Sequence, residues 1–554
     1  MNIPVEKPSG TYADSLAAIG YARALSDLGL GAVNITDQAA HFVVSSPDDL
    51  TDITSVSPGF PYVWDSAKEP ERPAFPSLLN YQTEKAKREA WNKFQTQRSS
   101  ARRTRTQLAE QDLSPPPQPH PEIGTAVLLA SMRKGWDSDR KLARWLTEDP
   151  DRARNWVASN LGLPHEPVDP PEFSNTQILN PISGKGGNAP KTEFRLPGSL
   201  PRQLIDPFRE WMKWRGLWTA MLLYRSGEDF KFFVIEPKDI RVEALSSLRT
   251  RLQQMNIWGG VRLDIEATFR CAQLLISNSD VAGAAAPLVA LRGRRPNQVI
   301  SGLRVSFFKS LGTAPALMND AFFPLPSWFP VETREDAEDF LAIIAEAIGS
   351  VDTTPRSFGC LGSLQEKNSD DGAILQDFRQ WLLTSDLGDL LAFHARFAVH
   401  LMQKLGAKDW ASPFSTGYLD KLLIKGYSSV KDIVQNEGFR HLARAIRNST
   451  IYAVRKDSRR EVHFGLAQRW KQKLKSGPAE FLAELSAFAQ SYNWEVVHRL
   501  EGKGFLVSTG DLDSIVDLCE THGAELVGSL LLAYGYAMAP AVKDDPESQP
   551  AATK

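Results

Sequence analysis

Hydrophobic positions near the start of the chain recur at the spacing of one helix face. Five residues define the pattern: Leu16, Ile19, Ala22, Leu25 and Leu28. Glycines follow at once, so the pattern predicts a buried first helix. The next segment, GAVNITDQAAHFVVSS, predicts two short strands around a polar turn. A basic helix is predicted from about residue 79 to 111, and we take this N-terminal α/β segment as a first domain, 1–112.

Proline marks the next change in the pattern. Residues 113–122, LSPPPQPHPE, cannot continue a helix and form a predicted linker. From 123 to 360, an amphipathic helix and the strand-like runs TAMLLY, FKFFVIE and LRVSFF predict a central α+β body. Residues 361–540 predict a helical bundle, and 541–554 predict a disordered tail. The predicted fold class is α+β and multidomain, with a mixed α/β N-terminal body and a C-terminal helical bundle.

Composition indicates a folded protein of several domains. The 554 residues exceed what one hydrophobic core organises, and 42% hydrophobic with 23% charged residues is typical of globular chains. The longest apolar runs, 281–291 and 526–539, are shorter than the roughly 20 residues that span a bilayer. No membrane span is predicted, and the start of the chain lacks the features of a signal peptide. The distant cysteines Cys271, Cys360 and Cys519 indicate neither disulfides nor zinc, so a cytoplasmic location is expected.

Charge is distributed unevenly, although the formal net charge is only −2. Between Asp420 and Lys475 there are fourteen Lys and Arg residues against five Asp and Glu residues, a local charge of +9. A second basic stretch runs from Lys85 to Arg105 and contains Glu89 as its one acid. Such stretches attract polyanions, although a solvated helix face is the more common explanation of a charge run.

The segment NEGFRHLARAIRNSTIYAVRK contains the most specific basic pattern. Arg440, Arg444 and Arg447 are spaced by four and three, which places them on one helix face opposite the apolar residues. Few carboxylates lie nearby in the sequence to pair with them, and Arg455 and Lys456 continue the cluster. This arrangement predicts a face that binds a nucleic-acid backbone.

Two loops are further candidates for phosphate contacts. The glycine-rich loop NPISGKGGNAPK concentrates backbone freedom and positive charge in six residues: Asn180, Gly184, Lys185, Gly186, Gly187 and Lys191. It lacks the spacing of a P-loop, and a plain flexible turn is the alternative. The loop LRGRRPNQ presents three arginines on a turn: Arg292, Arg294 and Arg295. They could reach phosphates or base edges, or be solvated only.

Residues for catalysis are sparse in the sequence. His394 and His400 are six apart rather than four, so a core or surface role is favoured over metal binding. Asp264 and Glu266 lack the further local acids of a two-metal nuclease, and common catalytic motifs are missing. No catalytic residue, metal or cofactor is predicted. A metal-dependent nuclease with acids from separate segments, and a structural adaptor that binds acidic proteins, remain as alternatives.

Several blocks of the sequence resemble one family. NPISGKGGNAPK, EWMKWRGLWTAMLL, FVIEPKDI, NEGFRHLARAIRNSTIYA, HFGLAQRWKQK and ELVGSLLLAYGYA are similar to blocks of the large subunits of type I CRISPR Cascade surveillance complexes. The resemblance extends over roughly residues 180–537, while 1–121 match nothing in it.

The resemblance implies a non-catalytic role in antiviral defense. A large subunit sits at the 5' end of the guide RNA beside the backbone subunits, helps to recognise the protospacer-adjacent motif in double-stranded target DNA, and recruits the helicase-nuclease. The family also implies an α/β body and a helical bundle that follows displaced DNA. By the resemblance, the arginine helix would face DNA or neighbouring subunits, and the glycine-rich loop would contact the motif or guide.

Overall fold

Helices dominate the part of the chain that the structure describes. The structure, a computed structural model, describes residues 1–56, 62–64, 78–103, 114–131, 142, 144–146, 148–171, 178–181, 206–226, 228–255, 257, 259–283, 291, 294–310, 315–326, 331–350, 358–455, 459–502 and 504–539. The predicted tail at 541–554 lies outside these ranges. In the described residues, no helix combines the length and the apolar character that crossing a membrane requires.

The strands form two four-stranded antiparallel sheets, in the orders β1-β3-β2-β8 and β10-β9-β7-β6, and a short β4-β5 pair. Their bounds are β1 Asn2–Glu6, β2 Asn34–Gln38, β3 His41–Ser45, β4 Tyr62–Trp64, β5 Leu78–Asn80, β6 Met221–Ser226, β7 Asp229–Pro237, β8 Asp239–Arg241, β9 Ile300–Ser310 and β10 Pro315–Pro324.

The helices lie between and after these strands. Their bounds are α1 Tyr12–Asp27, α2 Tyr81–Arg103, α3 Ile123–Ser131, α4 Pro150–Asn160, α5 Pro207–Ala220, α6 Val242–Gln254, α7 Val261–Ser277, α8 Pro296–Val299, α9 Arg334–Ile348, α10 Ser369–Thr384, α11 Leu387–Gly406, α12 Thr416–Gly426, α13 Lys431–Gln435, α14 Glu437–Arg447, α15 Ala453–Arg455, α16 Leu466–Ser476, α17 Pro478–His498, α18 Thr509–His522 and α19 Ala524–Gly535. The described residues also form two 3₁₀ turns, Cys360–Ser363 and Ser428–Val430, and a π-helix, Asn448–Tyr452.

The chain divides into two compact units. The N-terminal unit holds the described residues up to 255 and those of 296–323, and the C-terminal unit holds the rest. The predicted linker, 113–122, lies inside the N-terminal unit, where the buried Glu122 accepts a 2.8 Å hydrogen bond from Arg249. The predicted central body, 123–360, is shared between the units, because β9 pairs with β7 in the first unit while α7 packs against α10 in the second.

Two glycines set the core of the N-terminal unit. Helices α1 and α5 cross so closely that a Cβ on Gly20 would lie 1.7 Å from the Met212 carbonyl oxygen. On the other helix, a Cβ on Gly216 would lie 1.9 Å from the Leu16 carbonyl oxygen. The backbones are therefore in direct contact, and α1 is buried around most of its circumference. The sequence-based prediction of a buried first helix is confirmed.

The C-terminal unit is a helical bundle, as predicted. Its helices α10 and α11 pack through Phe378, whose ring centroid lies 4.8 Å from that of Phe393 on α11 and 5.0 Å from that of Trp381 on α10. The Trp381 indole N–H donates to the Tyr427 hydroxyl at 2.7 Å, so this large buried ring has no unsatisfied donor. Further along the chain, Trp470 packs edge-on against neighbouring rings. Apolar helix faces thus bury one another, and the mixed α+β class follows from the two units together.

Candidate nucleic-acid interface

Helix α14 provides the framework of the candidate interface. The Asn436 side chain caps its start by accepting the Phe439 N–H at 3.0 Å. Phe439, Leu442 and Ile446 are fully buried against the neighbouring helices of the C-terminal unit, among them α18 and α19. The remaining positions of the helix carry the arginines that the sequence analysis selected.

Arg447 does not lie on an open face, so this part of the prediction is wrong. Its side chain is buried, and its guanidinium donates to the carbonyl oxygens of Tyr534, at 3.0 Å, and Ala537. Burial lowers the pKa of Arg447 to about 10. The spacing places it correctly around the helix axis, but the C-terminal end of α19 covers that last turn. Arg447 therefore stabilises the fold.

Arg440 is half-buried and already paired. It forms an ion pair with Asp420 and donates to the Val434 carbonyl oxygen. Its guanidinium also lies 4.7 Å from the centre of the Tyr534 ring, and the Tyr534 hydroxyl donates to Asp420 at 2.9 Å. Asp420, which the charge count of the segment includes, lies twenty residues before Arg440 and reaches it because α12 lies beside α14 at this point. Arg440 thus connects α14 to three other helices, α12, α13 and α19, and only part of its side chain faces outward.

Arg444 lies in a different setting, beside aromatic rings. Its guanidinium carbon is 5.2 Å from the centre of the Phe505 ring, and the His441 ring is 4.7 Å from the same ring. His441 is held by a 2.8 Å contact between its Nδ1 and the Asp511 carboxylate. Burial raises the pKa of the Asp511 carboxyl, but hydrogen bonds from His441 and Ser508 outweigh it and lower the pKa overall.

The loop between α17 and α18 extends this surface. Asn493 donates to the Val507 carbonyl oxygen at 2.7 Å and accepts the Val507 N–H at 2.9 Å, which fixes the loop to α17. On the last turns of α17, the Trp494 ring stacks on the His498 ring at 4.7 Å and an angle of 19°. Trp494 is 56% exposed, and Leu506 in the loop is 46% exposed.

The contacts form two groups: Arg444 and His441 beside the Phe505 ring, and Trp494 stacked on His498. The Asn493–Val507 hydrogen bonds join α17, which carries Trp494, to the loop that carries Phe505. We call the two groups, together with the exposed Leu506 and Val497, the Arg444–Trp494 surface. It combines a guanidinium with exposed aromatic and aliphatic groups, which is the combination that binds single-stranded nucleic acid: phosphates meet cations and bases stack on rings.

No protein-family model matches the chain, and no curated protein matches it. The function must therefore be inferred from the residues themselves.

The other predicted contact residues are distributed over both units. Asn180 is a member of a polar network in the N-terminal unit, where it donates to Glu210 at 2.7 Å and accepts from Lys213 at 2.6 Å. Burial raises the pKa of Glu210, although Lys213 and Asn180 oppose that shift. Gly184, Lys185, Gly186, Gly187 and Lys191 lie outside the described residues, so the glycine-rich loop stays a prediction.

The predicted arginine turn and the end of the arginine segment are described in part. Arg294 is half-buried, and Arg295 is exposed and 3.2 Å from the Glu332 carboxylate. Arg455 donates to the Ala411 carbonyl oxygen, and burial lowers its pKa. Arg292 and Lys456 lie outside the described residues.

The acids considered for a nuclease are buried in α7. The buried Asp264 accepts a 2.7 Å hydrogen bond from the partly buried Arg379, with which it forms an ion pair, and Glu266 is 5% exposed. Within the described ranges, His, Cys, Asp and Glu side chains nowhere gather in the threes that a metal site requires. The geometry of these two acids is that of core packing.

His394 is a core residue, and it gives the chain an acid-sensitive position. It is enclosed by Phe393, Phe414 and Tyr418, and burial lowers its pKa to about 3. Because the unfolded histidine titrates near 6.5, unfolding takes up a proton below that pH. The residue therefore costs about 1.4 kcal/mol of stability per pH unit as the pH falls from 6.5 toward 3.

We expect His394→Leu to reduce that acid sensitivity. Measured by urea unfolding, the free energy of unfolding of the variant should fall by about 2 kcal/mol less than that of the unchanged chain between pH 6.5 and 5. His498→Asn, at an exposed histidine of the same unit, is the matched control. Equal losses in the His394→Leu variant and the unchanged chain would contradict the assignment.

Proposed function

We propose that this protein is a nucleic-acid-binding subunit of a ribonucleoprotein complex that does not itself cut nucleic acid. The Arg444–Trp494 surface carries the proposal. An exposed tryptophan, preorganised by stacking on His498, lies on the same unit as Arg444 and Phe505, and such rings bind bases without sequence preference. The segment Asp420–Lys475 has a formal charge of +9, but Lys425, Arg469 and Lys473 pair with acids outside it, so its attraction for phosphates is weaker than that sum indicates.

Within that class, we propose the large subunit of a type I CRISPR surveillance complex. The resemblance of the sequence blocks and the division into a mixed α/β part and a helical bundle support this assignment. Its partners would be guide RNA, target duplex, the backbone and 5'-end subunits, and the helicase-nuclease. In such complexes base pairing reads the target, while the protein reads the adjacent motif and holds the displaced strand. We propose that the Arg444–Trp494 surface contacts the displaced strand.

Binding to a single-stranded oligonucleotide tests the surface directly. Fluorescence anisotropy should show weaker binding by about tenfold for Trp494→Ala and for Arg444→Ala. The salt dependence should separate the two variants. Arg444→Ala removes a phosphate contact and lowers the slope of log Kd against log salt by about 0.7, while Trp494→Ala leaves the slope unchanged.

Matched controls are present in the same unit. Trp410 is 57% exposed and Arg334 has a side chain that is 74% exposed, so Trp410→Ala and Arg334→Ala should bind like the unchanged chain. Equal affinity for all five proteins would exclude the Arg444–Trp494 surface.

Purification from the native host tests the complex. A tagged chain should bring down companion proteins and a short RNA of uniform length. Companions that stay bound after nuclease treatment and contain no RNA would instead favour a structural adaptor.

A further inference from the structure

Three side chains in the C-terminal unit form a hydrogen-bonded chain from hydroxyl to imidazole to carboxylate. Ser363 ends the 3₁₀ turn Cys360–Ser363, Asp371 lies in the first turn of α10, and His400 lies in α11. The Ser363 Oγ is 3.2 Å from His400 Nε2, and His400 Nδ1 is 3.0 Å from Asp371 Oδ1. The sequence predicts a core or surface role for His400 rather than metal binding.

The second carboxylate oxygen fixes the direction of this chain. Asp371 Oδ2 accepts the Gln365 N–H at 2.9 Å, so the carboxylate is held in place. Its Oδ1 therefore takes the Nδ1–H of His400, which leaves Nε2 as an acceptor for the Ser363 hydroxyl hydrogen. At 3.2 Å, Nε2 is the nearer of two acceptors, since the Cys360 carbonyl oxygen lies 3.4 Å from Ser363 Oγ. This tautomer is the one in which an imidazole removes a proton from a serine. Burial lowers the pKa of His400, although Asp371 raises it, so the ring is a neutral base at pH 7.

The turn that carries Ser363 borders two exposed aromatic residues. Gly362 precedes Ser363, and a Cβ on Gly362 would lie 3.2 Å from the Trp410 indole and 2.5 Å from the Phe358 Cβ. Trp410 is 57% exposed and Phe358 is 52% exposed, whereas Ser363 is 5% exposed. The exposed Trp410 indole therefore borders the turn one residue from Ser363 and offers an apolar contact there.

We propose that Ser363, His400 and Asp371 form an acyl-transfer site for esters with an apolar acyl group. Ser363 Oγ bonds to the ester carbonyl carbon while its proton passes to His400 Nε2. The ester C–O bond then breaks, and the alcohol leaves with that proton. Water releases the acid by the same route, giving a proton to His400 that returns to Ser363. Asp371 positions the imidazole. This activity goes beyond nucleic-acid binding and is independent of it.

An alkyl fluorophosphonate tests the nucleophile in the full-length chain. Ser363 Oγ should bond to phosphorus as the P–F bond breaks and fluoride leaves, and peptide mass spectrometry should find the label on Ser363. Ser363→Ala should abolish labelling and the hydrolysis of p-nitrophenyl butyrate. The control is Ser429→Ala, at an exposed serine in the other 3₁₀ turn, and it should change neither.

Asp371→Asn separates positioning from a purely structural role. Labelling should slow by on the order of 10³- to 10⁴-fold, because the amide favours the wrong tautomer. The pH midpoint of the remaining labelling rate should fall, because the Asp371 carboxylate raises the pKa of His400 in the unchanged chain and the variant lacks it. Lys404 and Asp409 are the other charged groups that act on the pKa of His400. If Ser363→Ala fails to fold, mass spectrometry of the unchanged chain still tests whether the label is on Ser363. A folded, unchanged chain whose Ser363 is unlabelled overturns the proposal, as does an Asp371→Asn variant that labels at the normal rate.

Discussion

Gly20→Ala and Gly216→Ala should each abolish the native packing of the N-terminal unit. A new Cβ would lie 1.7 Å from the Met212 carbonyl oxygen in one variant and 1.9 Å from the Leu16 carbonyl oxygen in the other. Backbone atoms cannot rotate away as a side chain does, so α1 and α5 must separate and lose contacts along both helices. We expect a loss on the order of 4 kcal/mol or more in the free energy of unfolding.

Hydrogen exchange measures this loss within one unit. Amides of α1 and α5 should lose protection in both variants, while amides of α10 and α11 in the other unit keep theirs. Gly124→Ala is the matched control, because it lies in helix α3 of the same unit and a Cβ there has open space within 4 Å. It should leave protection unchanged or raise it by no more than about 1 kcal/mol, since alanine favours the helix. Normal protection in the Gly20 variant would contradict the close crossing.

Arg447→Met should produce the largest loss in the C-terminal unit. The substitution removes two charge-assisted hydrogen bonds and leaves the carbonyl oxygens of Tyr534 and Ala537 buried without this donor. We expect a loss of about 3 kcal/mol, because both buried oxygens lose a charged donor and, of the two, the Tyr534 oxygen keeps the Ala537 N–H at 3.3 Å. Methionine keeps most of the aliphatic volume, so the effect reports the hydrogen bonds rather than a cavity.

Exchange of the α14 and α19 amides checks this prediction. A loss of about 3 kcal/mol corresponds to exchange that is faster by roughly a hundredfold. Arg444→Met, three residues earlier on the same helix, is the control, and it should accelerate exchange far less because Arg444 is half-buried beside Phe505. Equal exchange in both variants would mean that Arg447 is an ordinary surface arginine.

Periodicity predicted the elements but not what covers them. The first helix, the strands β2 and β3 and the C-terminal bundle follow from local patterns of apolar residues, because each element has to bury one face. The burial of Arg447 depends on where α19 ends, some ninety residues along the chain, and no local pattern contains that information. The pairing of Arg440 with Asp420 escaped prediction for the same reason.

The candidate sites show the same limit more sharply. Arg444 was predicted from spacing, whereas Phe505 joins it only through a loop that Asn493 fixes. Trp494 and His498 are four residues apart on a helix, and this spacing is enough to predict contact between their rings. It does not predict that the two rings are exposed. Ser363 and His400 lie 37 residues apart, and their contact needs the packing of a 3₁₀ turn against α11.

The acceptors of Arg447 also bear on how homologous chains can diverge. Both are main-chain oxygens, so a change of side chain at 534 or 537 leaves them in place, whereas nearly any change at 447 removes the donor. We expect related sequences to retain arginine at 447. This contact places no constraint on the side chains at 534 and 537, so those positions can vary. An alignment would then show an invariant arginine with no covarying partner, and its conservation would reflect folding rather than ligand binding.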